Sequence, residues 1–354
     1  GIVNPKKHFD CVTYTGNGST GQSITSLEFQ PDLIWFKSRS NGRNHVMNDS
    51  VRGRAKGMYP DANNAEFTDA AGRGLVSFNS NGFTVGNPEN ASSHNNSGET
   101  IVAWCWKAGG AAVTNTDGDI TSQVSVNQEA GFSIATYTGS TASGALTVGH
   151  GLGKKPAWVI IKRRDSTGDW IIGHKSLADT NPFANSKFMK FNNATTNTNA
   201  LVWGAEPTTT VTQIVSNGAG GASNLTSSGT YVMYSWAEIP GYSKFGLYMG
   251  NSNANGTYVP CGFRPAWLMI KRTTGSDPWL ILDTTRDSDN VVQDNIFASS
   301  SDAEFNTDVL DFVSNGFKWR INSGLRNNAG DKYIFMAFAE QPGHTPYMAP
   351  SNAR

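Results

Sequence analysis

Short apolar or alternating runs, bounded by Gly, Asn and Pro, recur along the whole 354-residue chain. No window of about 12 residues keeps the i, i+3, i+4 apolar rhythm of an amphipathic helix. The runs TIVAWCW (Thr100–Trp106) and TYVMYSW (Thr230–Trp236) instead place large side chains with a period of two. This period is that of a strand with two distinct faces. The pattern predicts an all-β protein.

Three other runs are apolar at consecutive positions: PDLIWFK, PAWVIIK and PAWLMIK, which begin at Pro31, Pro156 and Pro265. A proline cannot donate to a β-ladder, so it suits the first position of a strand. A strand that is apolar at consecutive positions is expected to be buried on both faces, in a sandwich or under a neighbouring unit. The lysines that end the runs are expected to return the chain to solvent; they are Lys37, Lys162 and Lys271.

Five elements recur three times in the same order, which is the signature of internal repeats. Each set opens with an aromatic strand and a glycine-rich turn, at YTGNGSTG, YTGSTASG and YMGNSNANG. The sequence therefore predicts three tandem β-sandwich units of roughly seven to ten strands each. The predicted limits are 1–108, 131–241 and 242–342, with a linker hairpin at 109–130 around an Asp-Gly turn and a C-terminal tail at 343–354.

The stretch from Gly16 to Gly21 matches G-x-G-x-x-G, the glycine pattern of dinucleotide-binding folds. That site requires the third glycine to open a helix whose N-terminus faces the phosphates. Gly21 instead leads into the short β-prone run QSITSLEF, and the other two copies lose the glycine spacing. We therefore interpret these glycines as a turn and not as a nucleotide site.

The two SNGF sequences, Ser80–Phe83 and Ser314–Phe317, are Asn-Gly turns between β-prone flanks and predict hairpins. The corresponding part of the second unit reads SNGAGGAS, which predicts a longer or reshaped hairpin.

Charge and composition exclude several classes of function. The chain carries 28 basic and 28 acidic residues, so it lacks the basic footprint of a nucleic-acid binder. It has no apolar run near the ~20 residues of a membrane helix, so no membrane insertion is expected. The three cysteines, Cys11, Cys105 and Cys261, are widely spaced and predict isolated buried thiols. The six histidines show no metal-ligand spacing and are expected at the surface or in turns, so neither a metal nor a cofactor is predicted.

Two groups of residues are candidates for the site. Asp49-x-x-Arg52 recurs as Asp283-x-x-Arg286, and a motif present in two copies favours structural ion pairs that fix a loop over a catalytic pair. Most aromatic residues lie in repeated core elements. Tryptophans outside them are candidates for stacking on a sugar; these are Trp170, Trp203, Trp279 and Trp319.

The motifs NPKKHFD…YTGNGS, PDLIWFK, SNGF and WKAGGA resemble a repeated, largely uncharacterised domain of marine bacteriophage virion proteins, especially of cyanophages and pelagiphages. The resemblance extends from about Asn4 to Pro342. By analogy, the fold looks like the concanavalin-like jelly rolls. The resemblance implies a non-enzymatic structural protein of the virion surface, in a tail fibre or tail appendage. Its implied partners are other virion proteins, further copies in a trimer or hexamer, and a host-surface glycan or protein.

Two alternatives stay open. The first is a polysaccharide-degrading tail enzyme that uses an acidic pair on a β-sandwich. The repeated acidic residues are Asp49 with Asp283, and Glu238 with Glu340; the last two are expected at strand ends beside turns. The second alternative is a capsid decoration protein. Release of new reducing ends from host polysaccharide would distinguish the enzyme from the other two.

Overall fold

The computed structural model describes residues 1–88, 92–142, 144–177, 183, 187–198, 202–216 and 228–341. Nearly all regular structure in these residues is β-strand, and the strands of each sheet pair antiparallel, so the all-β prediction is confirmed. The helical elements described are a 3-10 turn at Pro5–Lys7 and one turn of α-helix, α1 (Gly324–Asn327). The predicted tail, 343–354, lies outside the described residues.

Residues 1–108, called segment 1, form two sheets. The strands are β1 (Phe9–Thr15), β2 (Gln22–Ile24), β3 (Leu33–Ser38), β4 (Val46–Asp49), β5 (Lys56–Met58), β6 (Phe67–Thr68), β7 (Leu75–Asn79), β8 (Gly82–Val85) and β9 (Thr100–Trp106). The larger sheet has the order β1-β9-β3-β4-β5-β6, and the smaller has the order β2-β8-β7. The consecutively apolar strand β3 therefore lies inside the larger sheet.

Residues 109–241, called segment 2, also form a large and a small sheet. The strands are β10 (Val113–Asn115), β11 (Ser122–Asn127), β12 (Phe132–Thr138), β13 (Gly144–Gly149), β14 (Trp158–Arg163), β15 (Ile171–His174), β16 (Lys187–Lys190), β17 (Asn193–Thr198), β18 (Val211–Ser216) and β19 (Thr230–Trp236). The large sheet has the order β10-β11-β12-β19-β14-β15-β16-β17, and β13 pairs with β18.

Residues 242–341, called segment 3, form one continuous set of paired strands. They are β20 (Ser243–Met249), β21 (Tyr258–Pro260), β22 (Pro265–Arg272), β23 (Leu280–Asp283), β24 (Val292–Phe297), β25 (Phe305–Val313), β26 (Gly316–Trp319) and β27 (Lys332–Ala339). Their order is β20-β27-β22-β23-β24-β25-β26-β21. Strand β24 pairs with β23 on one side and with β25 on the other, so it joins the two layers.

The stretch predicted as a linker, 109–130, is part of a sheet. Its hairpin forms around the Asp117-Gly118 turn, as predicted, from strands β10 and β11. Strand β11 then pairs with β12, from Ser122 opposite Tyr137 to Asn127 opposite Phe132. The hairpin thus extends the large sheet of segment 2, because the edge of β12 offers it a ladder of backbone groups.

The turn predictions at the glycines are confirmed where the structure describes them. Both SNGF sequences form tight hairpins, β7–β8 and β25–β26. Gly82 and Gly316 have positive φ angles of 153° and 157°, and a Cβ at either position would overlap a backbone carbonyl of a neighbouring strand. Gly16–Gly21 connects β1 to β2 with no helix after it, and the Gly18 N–H donates to Asn95 O at 3.0 Å. Most of SNGAGGAS lies outside the described residues.

Each segment has an apolar core between its two layers. In segment 1 this core includes Phe36, Phe83 and Ile101. The core of segment 2 includes Val159 and Trp203, and that of segment 3 includes Phe317, Trp319 and Phe335. These outer cores account for one face of each large sheet.

The opposite faces of the three large sheets meet in a fourth, central core, which contains residues of all three segments. Strand β9 sends Val102, Trp104 and Trp106 into the central core, whereas Ile101, Ala103 and Cys105 enter the outer core of segment 1. Strands β19 and β27 divide their side chains in the same way, with Trp236 and Phe338 on the central side. The consecutively apolar strands are divided in the same way: β3 places Leu33 and Trp35 in the central core and Ile34 and Phe36 in the outer core. The prediction that these strands are buried on both faces is therefore confirmed.

The lysines that end these strands do not reach solvent. Lys37, Lys162 and Lys271 are all buried, and their ammonium groups donate to backbone carbonyls of the residue that follows each of them. Burial lowers the pKa of each ammonium group to about 8. The expectation was wrong because the ammonium groups bond the backbone instead of water; Lys37 and Lys271 also donate to Asn41 O and Gly275 O in the loops that follow their strands.

Each stretch that the sequence marks as a unit therefore has its own sheets and its own core. The interpretation of these stretches as three copies of one jelly-roll module, and the domain limits that follow from it, stay predictions.

The central core predicts a cooperative fold. Trp106 lies in ring contact with Trp236 of segment 2 and with Trp267 and Phe338 of segment 3, at centroid distances of 5.6–6.0 Å. We expect Trp106→Ala to lower the free energy of unfolding by about 3–5 kcal/mol and to accelerate amide hydrogen exchange in all three segments. Trp319→Ala, in the outer core of segment 3, is the matched control. If Trp106→Ala accelerated amide hydrogen exchange in segment 1 alone, the result would contradict the shared core.

Candidate functional site

Three buried side chains at matching positions join the segments in a ring. Each stands directly before the strand that follows the consecutively apolar strand of its segment, namely β4, β15 or β23, and reaches a carbonyl of another segment. Trp170 Nε1 of segment 2 donates to Tyr59 O of segment 1 at 2.8 Å. Trp279 Nε1 of segment 3 donates to Lys190 O of segment 2 at 2.9 Å. His45 Nε2 of segment 1 lies 2.9 Å from Phe297 O of segment 3 and closes the ring.

The junction between segments 1 and 2 contains the first predicted ion pair. Arg52 Nε donates to Asp49 Oδ2 at 2.5 Å, and Asp49 Oδ1 also accepts the Arg52 backbone N–H at 2.8 Å. Both side chains are fully buried. Tyr234 of segment 2 donates its hydroxyl to Asp49 Oδ2 at 2.6 Å. Glu66 accepts hydrogen bonds from Arg52 and from Arg164 of segment 2. The pair thus fixes its loop, as predicted, and also holds two segments together.

The junction between segments 3 and 1 repeats this arrangement. Arg286 Nε donates to Asp283 Oδ2 at 2.6 Å, and both side chains are fully buried. Trp104 of segment 1 takes the place of Tyr234, with its Nε1 donating to Asp283 Oδ2 at 3.0 Å. Glu304 accepts from Arg286 and from Arg39 of segment 1. The same network therefore closes the ring between the first and last segments.

The junction between segments 2 and 3 is different. His174 lies opposite Trp158 in the register where Asp283 lies opposite Trp267, so it occupies the aspartate position. Its Nε2 is 3.2 Å from Phe335 O of segment 3. Leu177 stands where the other two networks have arginine. The charged groups of this junction lie instead near the strand ends, where Glu238 pairs with Lys175 and Lys244.

In the second network, pairing outweighs burial and shifts both pKa values so that the charged forms are favoured. Burial alone would lower the pKa of Arg286, but the neighbouring charge of Asp283 raises that pKa above its ordinary value. Burial would raise the pKa of Asp283, yet Arg286 and the Trp104 indole N–H hold it below its ordinary value. The Asp283–Arg286 pair is therefore charged and internally compensated near neutral pH, which suits a structural contact.

A cavity of about 220 Å³ lies between segments 1 and 3, close to the second network. Segment 1 lines it with Asp10 and Lys6, and segment 3 lines it with Thr284 and Glu340. Burial raises the pKa of Asp10.

A second concavity, of about 240 Å³, lies on the large sheet of segment 2. Its lining is rich in hydroxyl and amide groups, with Gln123 and Thr136 paired directly across strands β11 and β12 and with Arg164 beside them. We call it the threonine groove.

The four tryptophans predicted to contact a ligand are buried. All ten tryptophans of the chain are less than 2% exposed. Trp170 and Trp279 join segments, whereas Trp203 and Trp319 belong to outer cores. Their ring faces are therefore not available to a sugar in solvent, which corrects the expectation. Trp170 and Trp279 occupy matching positions, but segment 1 has His45 there, so no tryptophan recurs at this position in all three copies.

The expectation of surface histidines is wrong for four of the six. His45, His94, His150 and His174 are buried, and each Nε2 lies within 3.2 Å of a protein oxygen. Burial lowers the pKa of His94 and His174 to about 3 and that of His150 to about 4. Their neutral rings thus serve as internal hydrogen-bonding groups. His344 lies outside the described residues.

Sequence reasoning missed the partners that extend each ion pair across a junction. Arg39 and Arg164 stand two residues after the repeated lysines Lys37 and Lys162, and this shared spacing is the signal that was available. Glu66 and Glu304 gave no such sequence signal, because they lie at different distances from Arg52 and Arg286 along the chain. The repeated acids form no exposed pair: Asp49 and Asp283 are buried against arginine, Glu238 pairs with lysines and Glu340 with Arg264.

Within the described ranges, no group of three or more His, Cys, Asp or Glu side chains is placed to hold a metal ion. The three cysteines are free and buried, as predicted. None of the helical turns in the described chain has the length and apolarity that a membrane crossing requires.

These features define an all-β protein whose sheets share a central core and whose polar networks lie at internal junctions. The chain belongs to the family described as a domain of unknown function (DUF7483), which matches residues 4–342. One family match therefore spans all three segments. Comparison with curated proteins gave no match, and comparison with solved structures gave none.

The second network generates a stability prediction. Arg286→Met leaves the buried Asp283 carboxylate without its cation, so we expect a loss of about 3–5 kcal/mol in the free energy of unfolding, measured by chemical denaturation. Arg320→Met is the matched control, because the Arg320–Asp311 pair is partly exposed and should contribute about 1 kcal/mol or less. Equal effects of the two substitutions would show that the network is not a structural contact.

The buried histidines predict acid lability. In the unfolded chain each ring takes up a proton below pH ~6.5, whereas the buried rings stay neutral, so stability is lost as the pH falls below that value. At pH 5.5 the four rings together cost about 5 kcal/mol. Burial raises the pKa of Asp61 to about 7, so its protonation between pH 7.5 and 5.5 restores about 2 kcal/mol and leaves a loss of about 3 kcal/mol. Denaturation at pH 7.5 and 5.5 measures the difference, and a flat profile would contradict it.

Proposed function

We propose that the protein is a non-enzymatic structural component of a bacteriophage particle, in a tail fibre or tail appendage on the virion surface, with host-surface recognition by its exposed face. The resemblance of its repeated motifs to marine phage virion proteins supports the virion assignment. The observation that carries the structural role is the central core, to which all three segments contribute. A chain closed on itself in this way resists deformation, as a part that transmits force must.

The distribution of charge supports a structural role over catalysis. The repeated carboxylates are occupied by arginine, lysine or backbone groups, and the most strongly shifted histidines are buried and neutral. Catalytic carboxylates of a glycosidase must instead face a substrate groove as a spaced pair.

The threonine groove supports recognition of a host-surface glycan. Its hydroxyl and amide groups can exchange hydrogen bonds with sugar hydroxyls. The groove lies on a rigid sheet, so binding there requires little ordering of the protein. Because the ring is already closed within one chain, contacts with other virion proteins and with further copies, as a trimer or hexamer, would use the outer surface.

Labelling and adsorption experiments test this proposal. We expect antibodies against the chain to label the tail region of virions in electron micrographs, and the purified protein to block phage adsorption to host cells. The double substitution Gln123→Ala/Thr136→Ala should weaken this block roughly tenfold, the effect of about 1.4 kcal/mol. Thr25→Ala, at an exposed threonine of segment 1 outside the groove lining, is the control.

Other outcomes would point to the alternatives. New reducing ends released from host polysaccharide by the purified protein would establish the enzyme instead. Labelling confined to the capsid would establish the decoration protein. An undiminished block by the groove variant would remove the groove from recognition and leave an architectural role.

A further inference from the structure

The cavity between segments 1 and 3 contains two carboxylates that are incompletely bonded. Asp10 Oδ1 accepts the N–H of Cys11 at 2.9 Å, and Glu340 Oε2 accepts a hydrogen bond from Arg264 at 2.6 Å. Within the described part of the chain, Asp10 Oδ2 and Glu340 Oε1 receive no hydrogen bond from protein. The exposed Lys6 is the one cation in the lining, and Arg264, which lies outside the lining, compensates Glu340. Within the described residues Asp10 forms no ion pair, so its carboxylate is the uncompensated group of the cavity.

The junction between segments 2 and 3 contains the equivalent place, and there it is filled by lysines. Glu238 stands two residues after Trp236, as Glu340 stands two residues after Phe338. Its Oε2 accepts from Lys175 Nζ at 2.5 Å, and its Oε1 accepts from Lys244 Nζ at 3.2 Å.

Strand register establishes which residues replace these two lysines at the cavity. The Lys175 N–H donates to Ala157 O and the Thr284 N–H to Ala266 O, so Thr284 occupies the position of Lys175. Lys244 lies opposite the residue before Phe338 in β27, and Asp10 lies opposite the residue before Trp106 in β9. Asp10 therefore occupies the position of Lys244.

At the junction between segments 2 and 3, two lysine ammonium groups contact Glu238. The junction between segments 3 and 1 keeps the glutamate as Glu340 but has Thr284 and Asp10 in place of the lysines, and a cavity lies there. We propose that this cavity binds a small organic ammonium ion, whose –NH3+ group lies between Asp10 and Glu340 where segment 2 uses the side chain of Lys175.

The chemistry of the lining fits such a ligand. An ammonium group has three donors and requires acceptors, and the free oxygens of Asp10 and Glu340 together with the Thr284 hydroxyl supply them. A charge-assisted bond to a half-buried carboxylate is stronger than a bond between neutral groups. The volume of about 220 Å³ lies below the ~300 Å³ of the smallest pockets for drug-sized molecules, so the ligand is no larger than a monosaccharide.

Binding has a structural consequence. Asp10 belongs to the first strand of segment 1, and Glu340 follows the last strand of segment 3. A bound ammonium ion therefore bridges the beginning and the end of the ring, and stabilises the folded state according to its concentration and affinity. This inference is independent of the proposed function, since its tests use the purified chain without virions or host cells.

Ligand-dependent melting and calorimetric titration test the site with glucosamine and putrescine as probes. Glucosamine and glucose differ in one ammonium group, so we expect glucosamine to bind and to raise the melting temperature while glucose does not. A stronger response to glucosamine would indicate the amino sugar of a glycan as the source, and a stronger response to putrescine would indicate a free polyamine. Asp10→Asn should weaken binding at least tenfold, whereas Asp117→Asn, at an exposed turn, should leave it unchanged.

Thr284→Lys is a second, opposite test, because it supplies the ammonium group that segment 2 already has. We expect it to raise the melting temperature of the free protein and to abolish the response to both probes. Equal binding of glucose and glucosamine, unchanged binding by Asp10→Asn, no response to either amine, or a response to calcium chloride alone would overturn the proposal. If Thr284→Lys fails to fold, the Asp10→Asn titration decides by itself.

Discussion

The structure depends on one packing constraint: the innermost strands must bury both of their faces. In β9, β19 and β27, alternate side chains enter a segment's own core and the central core. A sandwich standing alone would expose Trp106, Trp236 and Phe338 to water, and each such aromatic residue contributes roughly 1.5–3 kcal/mol when buried. The outer cores therefore need the central core, and the segments need one another.

The polar networks follow from this constraint. The three large sheets pack face to face, so the loops that follow β4 and β23 lie at the junctions between segments. Their charged side chains are buried there, away from water. Asp49–Arg52 and Asp283–Arg286 compensate these buried loop ends, with Tyr234 and Trp104 supplying donors from the neighbouring segment. At the third junction, His174 and Leu177 stand in the same places without a charged pair. The three junctions therefore share a geometry and differ in chemistry. The cavity beside Asp10 follows from one such difference, because two lysines contact Glu238 at one junction and neither has a counterpart beside Glu340 at another.

The sequence predicted the strands and turns more completely than it predicted the candidate site. The period of two in Thr100–Trp106, the Asn-Gly hairpins and the ion pairs at i, i+3 are local features, and the structure contains them. The roles of Trp170 and Trp279 were not predictable, because an aromatic residue outside an obvious repeat has the same local sequence whether it faces solvent or another segment. Lys37 was misjudged for the same reason: a charged residue at a strand end is normally exposed, and only a loop from elsewhere buries it.

The sequence by itself determined the strand class, the positions of the tight turns and the requirement that certain strands be covered on both sides. These properties depend on the order of side chains within about ten residues, and the backbone periodicity makes them readable. The tertiary structure alone decided what covers those strands, which charges meet across a junction and where space is left between them. Such contacts join residues that are far apart in the chain, such as Asp10 and Glu340, and no local pattern encodes the distance between them.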